Sequence, residues 1–105
     1  MPLLKVTIPS SSINNKEYLI SSLSEEVADL TSKPEEYVMI IVDTNCDLYF
    51  SKSSAPSCFV ELKSIGSLEP SLMSKSLTDK ITKLTGIPPS RVYINFHNVF
   101  FLDCT

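Results

Sequence analysis

The feature that most constrains the fold of this chain is an internal repeat. Residues 30–42 align with residues 84–96 at an offset of 54 positions, and leucine, threonine, proline and valine coincide in the two segments. The same offset sets residues 4–8 against residues 58–62. Self-similarity at a fixed period indicates that one supersecondary unit is used more than once. Each half is therefore predicted to contain a strand, a helix, a proline-containing loop and a second strand.

Two segments show the spacing of amphipathic helices. In the first, Asn14 with Glu17 three residues on indicates a capping box at the N-terminus. The second is predicted to open at Glu69-Pro70, because proline suits the first turn of a helix, and to stop at Gly86. Apolar residues recur every three or four positions in both, and we assign these stripes to the core. They are Leu19, Ile20, Leu23, Val27 and Leu30 in the first helix and Met73, Leu77, Ile81 and Leu84 in the second.

The second strand of each half has its own pattern. Residues 38–42 are apolar at every position, which is typical of a strand covered on both faces. Residues 92–97 alternate, with Val92, Ile94 and Phe96 on one face and Tyr93, Asn95 and His97 on the other. Two β-α-β units with right-handed crossovers predict an α+β domain, in which a mixed four-stranded sheet carries both helices on one face. The other face would then be bare in a single chain, although residues 38–42 require cover there.

Mean hydropathy leads to the same expectation of a partner. The value of +0.12 is high for a domain of this size, because a small chain buries only about two thirds of the surface that it exposes when unfolded. More apolar surface is encoded than a monomer would hide, so we expect an oligomer whose interface covers the excess.

Length and charge exclude several other classes of protein. The 105 residues, of which 43% are hydrophobic and 20% charged, predict one globular domain at 1–105, with pseudo-repeats at about 1–50 and 55–105. A net charge of -3 argues against nucleic acid or anionic lipid as the main partner. Since no apolar run approaches the roughly 20 residues of a membrane span, we expect no membrane insertion.

Cysteine and histidine usage bears on metals and on the compartment. Cys46, Cys58 and Cys104 are odd in number and no two are spaced as Cys-x-x-Cys, so a disulfide framework, a zinc knuckle and a dithiol redox motif are poorly supported. His97 is the one histidine, and we expect no metal site. The first residues lack a basic leader followed by a long apolar core. We therefore expect a cytoplasmic protein, with any export by a non-classical route.

Pro2 is the first candidate for chemistry. A small second residue normally allows the initiator methionine to be removed, which would leave Pro2 with a free secondary amine at the start of a strand. An α-amino group has a pKa of about 7.7–8.0 in model peptides, and burial beside a cation lowers it further. Such a group is able to act as a general base near neutral pH. The alternative is that many proteins begin Met-Pro without chemical consequence, and the dipeptide alone favours that alternative.

Two further candidates lie in loops. Lys33 lies in the loop that closes the first helix, and its equivalent in the second repeat is Ile87. The shared architecture therefore does not require a charge at this position. The alternative is that a lysine in a last helical turn compensates the helix dipole. Ser64-Ile65-Gly66 ends the third strand, and glycine allows a positive φ and close approach of the backbone. A free amide near Ile65 would bind an anion, but a plain strand exit explains the segment equally well.

Tyr93 and Asn95 share one face of the last strand, and His97 lies beyond them on that face. A tyrosine hydroxyl and an amide are able to orient a polar substrate. An ordinary polar sheet face is the simpler interpretation of these residues on their own.

Several short segments are informative when their order and spacing along the chain are considered together. They are Met1-Pro2, Lys33-Pro34 with Tyr37, Phe50 with Ser53-Ser54 and Pro56, Ser64-Ile65-Gly66, and Arg91-Val92-Tyr93-Ile94-Asn95. Together they resemble the macrophage migration inhibitory factor family and its tautomerase relatives, over about residues 1–98 and almost without gaps. The repeat matches the fold of that family.

The resemblance implies a homotrimer of β-α-β-β-α-β subunits with active sites at the subunit boundaries. It also implies cofactor-independent tautomerisation of phenylpyruvate-like 2-keto acids, small aromatic substrates, with Pro2 as the catalytic base. The residues that it assigns to the substrate are Lys33, Tyr37, Ser64 and Ile65 of one subunit with Tyr93 and Asn95 of the neighbouring subunit.

The chain departs from the family pattern in two segments. Some members carry Cys-x-x-Cys where residues 57–60 read Ser-Cys-Phe-Val, so we do not expect dithiol oxidoreductase activity. The family usually continues into a tail with glycine and tryptophan that walls the pocket, and Phe100, Phe101 and Leu102 are the candidates to replace it here.

Two alternatives to an active enzyme stay open. One is a trimeric cytokine-like signalling or binding protein that engages a cell-surface receptor and whose tautomerase activity is vestigial. The other is a generic ferredoxin-like interaction module. A retained Met1 would also abolish the proposed chemistry, because the Pro2 nitrogen would then be an amide.

Overall fold

The structure is a computed structural model that describes residues 1–66 and 68–99. Phe100, Phe101, Leu102 and Cys104 lie outside the described residues. The main elements follow one another as β1 (Leu3–Thr7), α1 (Lys16–Thr31), β2 (Met39–Asp43), β3 (Cys58–Ser64), α2 (Pro70–Thr85) and β4 (Val92–Asn98).

The two halves reproduce the sequence repeat. Both helices have 16 residues, and they begin at positions 16 and 70, which are 54 residues apart. A short 3-10 turn precedes the second strand of each half, at Glu35–Tyr37 and at Pro89–Arg91, again at this offset. The predicted duplication is therefore confirmed in the described part of the chain.

The strands form one sheet in the order β2-β1-β3-β4. β1 is parallel to β2 and antiparallel to β3, and β3 is parallel to β4. Each half thus contributes one parallel pair, and the first strands of the two halves meet at the centre of the sheet. This is the mixed four-stranded sheet that the pattern predicts.

Both helices cover the same face of the sheet. Their stripes pack on alternate residues of the two central strands, and burial of each such side chain stabilises the fold by about 1.5–3 kcal/mol. The core contains Leu4, Val6, Val60 and Leu62 from the strands, Leu19, Leu23 and Val27 from α1, and Met73, Leu77 and Ile81 from α2. The remaining stripe residues, Ile20, Leu30 and Leu84, are half-buried.

The helix ends largely follow the predicted signals, with one correction. Asn15, and not Asn14, caps α1, and its side-chain oxygen accepts a hydrogen bond from the Tyr18 backbone N–H at 3.0 Å. The helix begins at Lys16, so Asn15 is the residue with extended backbone angles directly before it, and its side chain reaches a free N–H of the first turn. Glu17 then comes too early for a capping box, so that prediction was wrong. In α2, Pro70 occupies the first turn, and Gly86 ends the helix with φ +79°, as expected.

The sheet face opposite the helices is uncovered in the single chain. Met39 is 60% exposed and Ile41 is 40% exposed, although both belong to the continuous apolar run at 38–42. Along β4 the exposure alternates as predicted, and Tyr93 on the uncovered face is 56% exposed. Within residues 1–66 and 68–99, no helix has the length and apolar character that crossing a membrane requires.

The two helix ends offer a matched test of the repeat. Ser32 and Gly86 stand at equivalent positions, both in the left-handed region, with φ +55° and +79°. Gly86→Ala is expected to lower the free energy of unfolding by about 1 kcal/mol, since a side chain is strained there. Ser32→Gly is expected to raise it by about 0.5 kcal/mol, because relief of that strain exceeds the added freedom of the unfolded chain.

Urea unfolding of the parent and both variants at one fixed protein concentration measures these changes. A Cβ at Gly86 would meet no atom within 4 Å, so steric clash does not confound the comparison. Changes of the same sign in the two variants would contradict the prediction.

Candidate active site

A largely apolar cavity of about 520 Å³ lies where β1 begins. It is lined by residues 1–3 and 36–39, by Lys63 and Ile65 near the end of β3, and by Val99. The sheet topology explains this convergence. Because β1 runs parallel to β2 and antiparallel to β3, its first residues lie beside the start of β2 and the end of β3.

Pro2 is fixed at the wall of this cavity. Its side chain is almost fully buried, and its carbonyl oxygen accepts a hydrogen bond from the Met39 N–H at 3.0 Å, which extends the pairing of β1 with β2 by one residue. Met1 precedes it and is 77% exposed. While Met1 is attached, the Pro2 nitrogen is a peptide nitrogen. Removal of Met1 would leave a secondary amine at this wall.

The loop after α1 brings Tyr37 to the cavity. Pro34 has extended backbone angles and leads into the 3-10 turn, in which the Tyr37 N–H donates to the Pro34 carbonyl at 3.0 Å. Lys33 lies at the start of this loop, where its N–H donates to the Ala28 carbonyl at 3.1 Å. Its side chain is exposed and Lys33 is not part of the cavity lining.

Lys63 is a cationic side chain in the cavity lining, and the sequence reasoning did not single it out. It pairs with Leu3 in the β1–β3 register, one residue from Pro2, and it is half-buried. The alternation along β3 does indicate which face Lys63 lies on. Every second residue of the strand faces the helices, and Lys63 is on the opposite face. Placing it beside Pro2, however, requires the register of two strands that are distant in the sequence.

The end of β3 closes another side of the cavity. Ile65 lines it, whereas Ser64 is buried and is not a lining residue. The Ser64 hydroxyl donates to the Ile65 carbonyl at 3.4 Å. Gly66 has φ +110°, a positive value of the kind that glycine allows. The Val99 N–H donates to the Ser64 carbonyl at 2.9 Å, which holds Val99 at the cavity.

Tyr93 and Asn95 lie elsewhere in the single chain. They belong to β4, which β3 separates from β1. Tyr93 lines a second cavity of about 370 Å³, where its ring lies 5.7 Å from that of Phe59 and 6.2 Å from that of Phe50. Asn95 is exposed opposite Glu61. One chain therefore brings together Pro2, Tyr37 and Ile65, and it does not bring Tyr93 or Asn95 to them.

Comparison with known proteins identifies the family. Residues 1–102 match the family model "Macrophage migration inhibitory factor (MIF)". The chain belongs to the macrophage migration inhibitory factor family. This family lies within the tautomerase superfamily, so an isomerase of that general kind, or the cytokine-like role of the family, is the coarse function that the relationship supports.

Individual relatives agree with this assignment. A macrophage migration inhibitory factor homolog from Trichinella spiralis is 35% identical over 102 residues, covering 94% of this chain and 90% of the relative. The macrophage migration inhibitory factor of Xenopus tropicalis is 38% identical over 84 residues, covering 77% of this chain and 73% of the relative. The crystal structure of a homologue from Prochlorococcus marinus has a TM-score of 0.85 at 33% identity, covering 92% of this chain and 88% of that one.

The described cysteines differ sharply in environment. Desolvation raises the pKa of the buried Cys58 thiol to about 12. Cys46 is exposed, and its pKa is also raised, by partial desolvation and by the hydrogen bond that its thiol donates to an Asp43 carboxylate oxygen at 3.5 Å. Among residues 1–66 and 68–99, no three His, Cys, Asp or Glu side chains are grouped closely enough to hold a metal ion.

These environments predict selective alkylation. At pH 8 a thiol with a pKa of about 12 is ionised in about one molecule in ten thousand, and only the thiolate is a good nucleophile. Iodoacetamide should therefore modify Cys46 at least about tenfold faster than Cys58 in the folded protein, as measured by peptide mass mapping. Unfolding in urea should bring the two rates together. Equal rates in the native protein would contradict the assigned environments.

Proposed function

We propose that this protein is a cofactor-independent keto-enol tautomerase of phenylpyruvate-like 2-keto acids, with the Pro2 imino nitrogen as general base after removal of Met1. The observation that carries the proposal is the burial of Pro2 at the wall of a cavity that also contains Tyr37, Ile65 and Lys63. Membership of the family supports the same chemistry.

The reaction needs one positioned base and a site that binds the acid. In enolisation the Pro2 nitrogen accepts a proton from the carbon beside the carbonyl group, and solvent water donates a proton to the carbonyl oxygen to form the enol hydroxyl. The hydroxide left by that water takes the proton from the Pro2 ammonium, which restores the neutral base. Ketonisation reverses these transfers, so atoms balance and no electrons are exchanged with a cofactor. Apolar surroundings and a nearby ammonium group both disfavour a protonated amine, so they favour the neutral base at pH 7.

The substrate's carboxylate requires cations, and two lysines are suited to supply them. Lys63 lines the cavity itself. Lys33 stands three positions before the cavity-lining residues 36–39, on an exposed and flexible four-carbon stem. We assign the carboxylate to these two side chains, the ketone oxygen to the backbone near Ser64 and Ile65, and the aromatic ring of the substrate to the apolar lining with Tyr37.

A homotrimer completes the proposed site. The uncovered sheet face presents Met39, Ile41 and Tyr93, and a second and a third copy of the chain would remove this apolar surface from water. Family proteins are generally oligomeric. In the proposed assembly, which we place in the cytoplasm with export by a non-classical route, Tyr93 and Asn95 of one subunit reach the Pro2 cavity of the next.

Replacement of Pro2 tests the base directly. Pro2→Gly is expected to reduce kcat/KM for phenylpyruvate by about 100-fold or more, since it replaces a constrained secondary amine with a flexible primary one. Intact-mass analysis must show that Met1 is absent from both samples. Pro9→Gly is the matched control, because Pro9 lies outside the Pro2 cavity and should leave the rate near that of the parent. Undiminished activity in processed Pro2→Gly protein would remove Pro2 from the mechanism.

Replacement of the two lysines tests carboxylate binding. Lys33→Met and Lys63→Met are each expected to raise KM about tenfold, as a lost charge-assisted hydrogen bond implies, with a smaller change in kcat. Lys83→Met, on the exposed last turn of α2, is the control and should behave like the parent. An unchanged KM in Lys63→Met would show that the substrate does not contact this lysine.

A second candidate is a trimeric cytokine-like protein that binds a cell-surface receptor and whose tautomerase activity is vestigial. The relationship to Xenopus and Trichinella proteins that are named macrophage migration inhibitory factor, or its homolog, favours it. Receptor binding that survives in inactive Pro2→Gly protein would support this role, whereas loss of both together would tie binding to the intact cavity.

A further inference from the structure

The loop between β2 and β3 contains a turn whose backbone conformation is unfavourable for the residues that form it. The Phe50 N–H donates to the Ser53 carbonyl at 2.9 Å, and the Ser53 N–H donates to the Phe50 carbonyl at 3.2 Å. Between them, Ser51 and Lys52 have φ values of +54° and +60°. Neither is glycine, so this left-handed conformation persists only where surrounding interactions maintain it.

Arg91 supplies those interactions from the last position of the 3-10 turn that precedes β4. Its guanidinium group donates hydrogen bonds to four backbone carbonyls, from Nη1 to Phe50 at 3.0 Å, from Nη2 to Ser53 at 3.2 Å and to Ala55 at 2.8 Å, and from Nε to Pro56 at 3.0 Å. One planar fork thus holds a loop of seven residues. A lysine ammonium is a single point charge and cannot reproduce four divergent bonds.

The same arginine is linked to Tyr93 through an aromatic contact. The guanidinium carbon lies 5.6 Å from the centroid of the Phe50 ring, within the range of a cation–π interaction. The Phe50 ring meets Tyr93 edge to face, at 6.2 Å and 84°. Phe59 supports the Tyr93 ring from another side, at 5.7 Å and 40°. Tyr93 is more than half exposed, so these two rings largely determine its orientation.

We propose that Arg91 is a positioning residue for the tautomerase site, acting through Phe50 on the orientation of Tyr93. The inference rests on the proposed function, because Tyr93 is there a substrate-binding residue of the neighbouring subunit's cavity. The repeat supports a specific role for the arginine. Its equivalent in the first half is Tyr37, which forms the same 3-10 turn, so the turn itself does not require an arginine.

A double-mutant cycle separates positioning from general stabilisation. Arg91→Lys is expected to raise KM for phenylpyruvate about fivefold to tenfold in the parent. In the Tyr93→Phe background it should have little further effect, because that variant lacks the hydroxyl whose position Arg91 controls. Phe50→Leu keeps the bonds from Arg91 to the loop and should reproduce the effect of Arg91→Lys. An equal fold-change in both backgrounds, or a normal KM in Phe50→Leu, would overturn the proposal.

A spectroscopic measurement keeps the inference testable without turnover. The protein has four tyrosines, so ring-labelled tyrosine gives few NMR signals, and the signal missing in Tyr93→Phe identifies Tyr93. We expect this signal to shift in Arg91→Lys, which leaves the Phe50 and Phe59 rings in the protein, and an unchanged signal in that variant overturns the inference. If the processed parent does not convert phenylpyruvate, the proposed function fails, and the NMR result alone decides whether Arg91 orients the ring.

Discussion

The central strand β1 is the element on which the rest of the structure depends. It pairs with β2 on one side and with β3 on the other, so its backbone is fixed along both edges. The hydrogen bond from the Met39 N–H to the Pro2 carbonyl carries this pairing to the end of the strand. While Met1 is attached, Pro2 has no N–H to leave unsatisfied, so it fits the position just before β1. Pro2 lies one residue from the start of the chain, where residues are usually mobile, and it is thereby held in a buried place beside a cavity.

The same topology creates an apolar surface that one chain cannot cover. Both crossovers place their helices on one face, and that face takes the core residues of β1 and β3. The opposite face keeps Met39, Ile41 and Tyr93 in contact with water. Since Tyr93 lies two strands away from Pro2, assembly of several copies is also the route by which the two would meet. Stability and completion of the site would then depend on the same interface.

The sequence was sufficient for the fold because its signals are local and repeated. Helix stripes, the stop at Gly86 and the alternation along β4 each follow from spacing within a short segment. The site was only partly accessible in this way. Pro2 could be named from its position in the chain, but Lys63 could not, because its approach to Pro2 depends on the register between β1 and β3. The helix cap is Asn15 and not the predicted Asn14, an error of one residue that arises because two asparagines are adjacent in the sequence.

One pair of equivalent positions at which the two halves differ bears on the candidate site. Both halves close their helices in the same left-handed way and enter their second strands through the same 3-10 turn. The last residue of that turn is Tyr37 in one half, where it lines the Pro2 cavity. In the other half it is Arg91, which holds the loop of Phe50 against Tyr93. In the proposed trimer a duplicated scaffold would thus supply two unlike parts of one site, because its core fixes equivalent positions and leaves their side chains free to diverge.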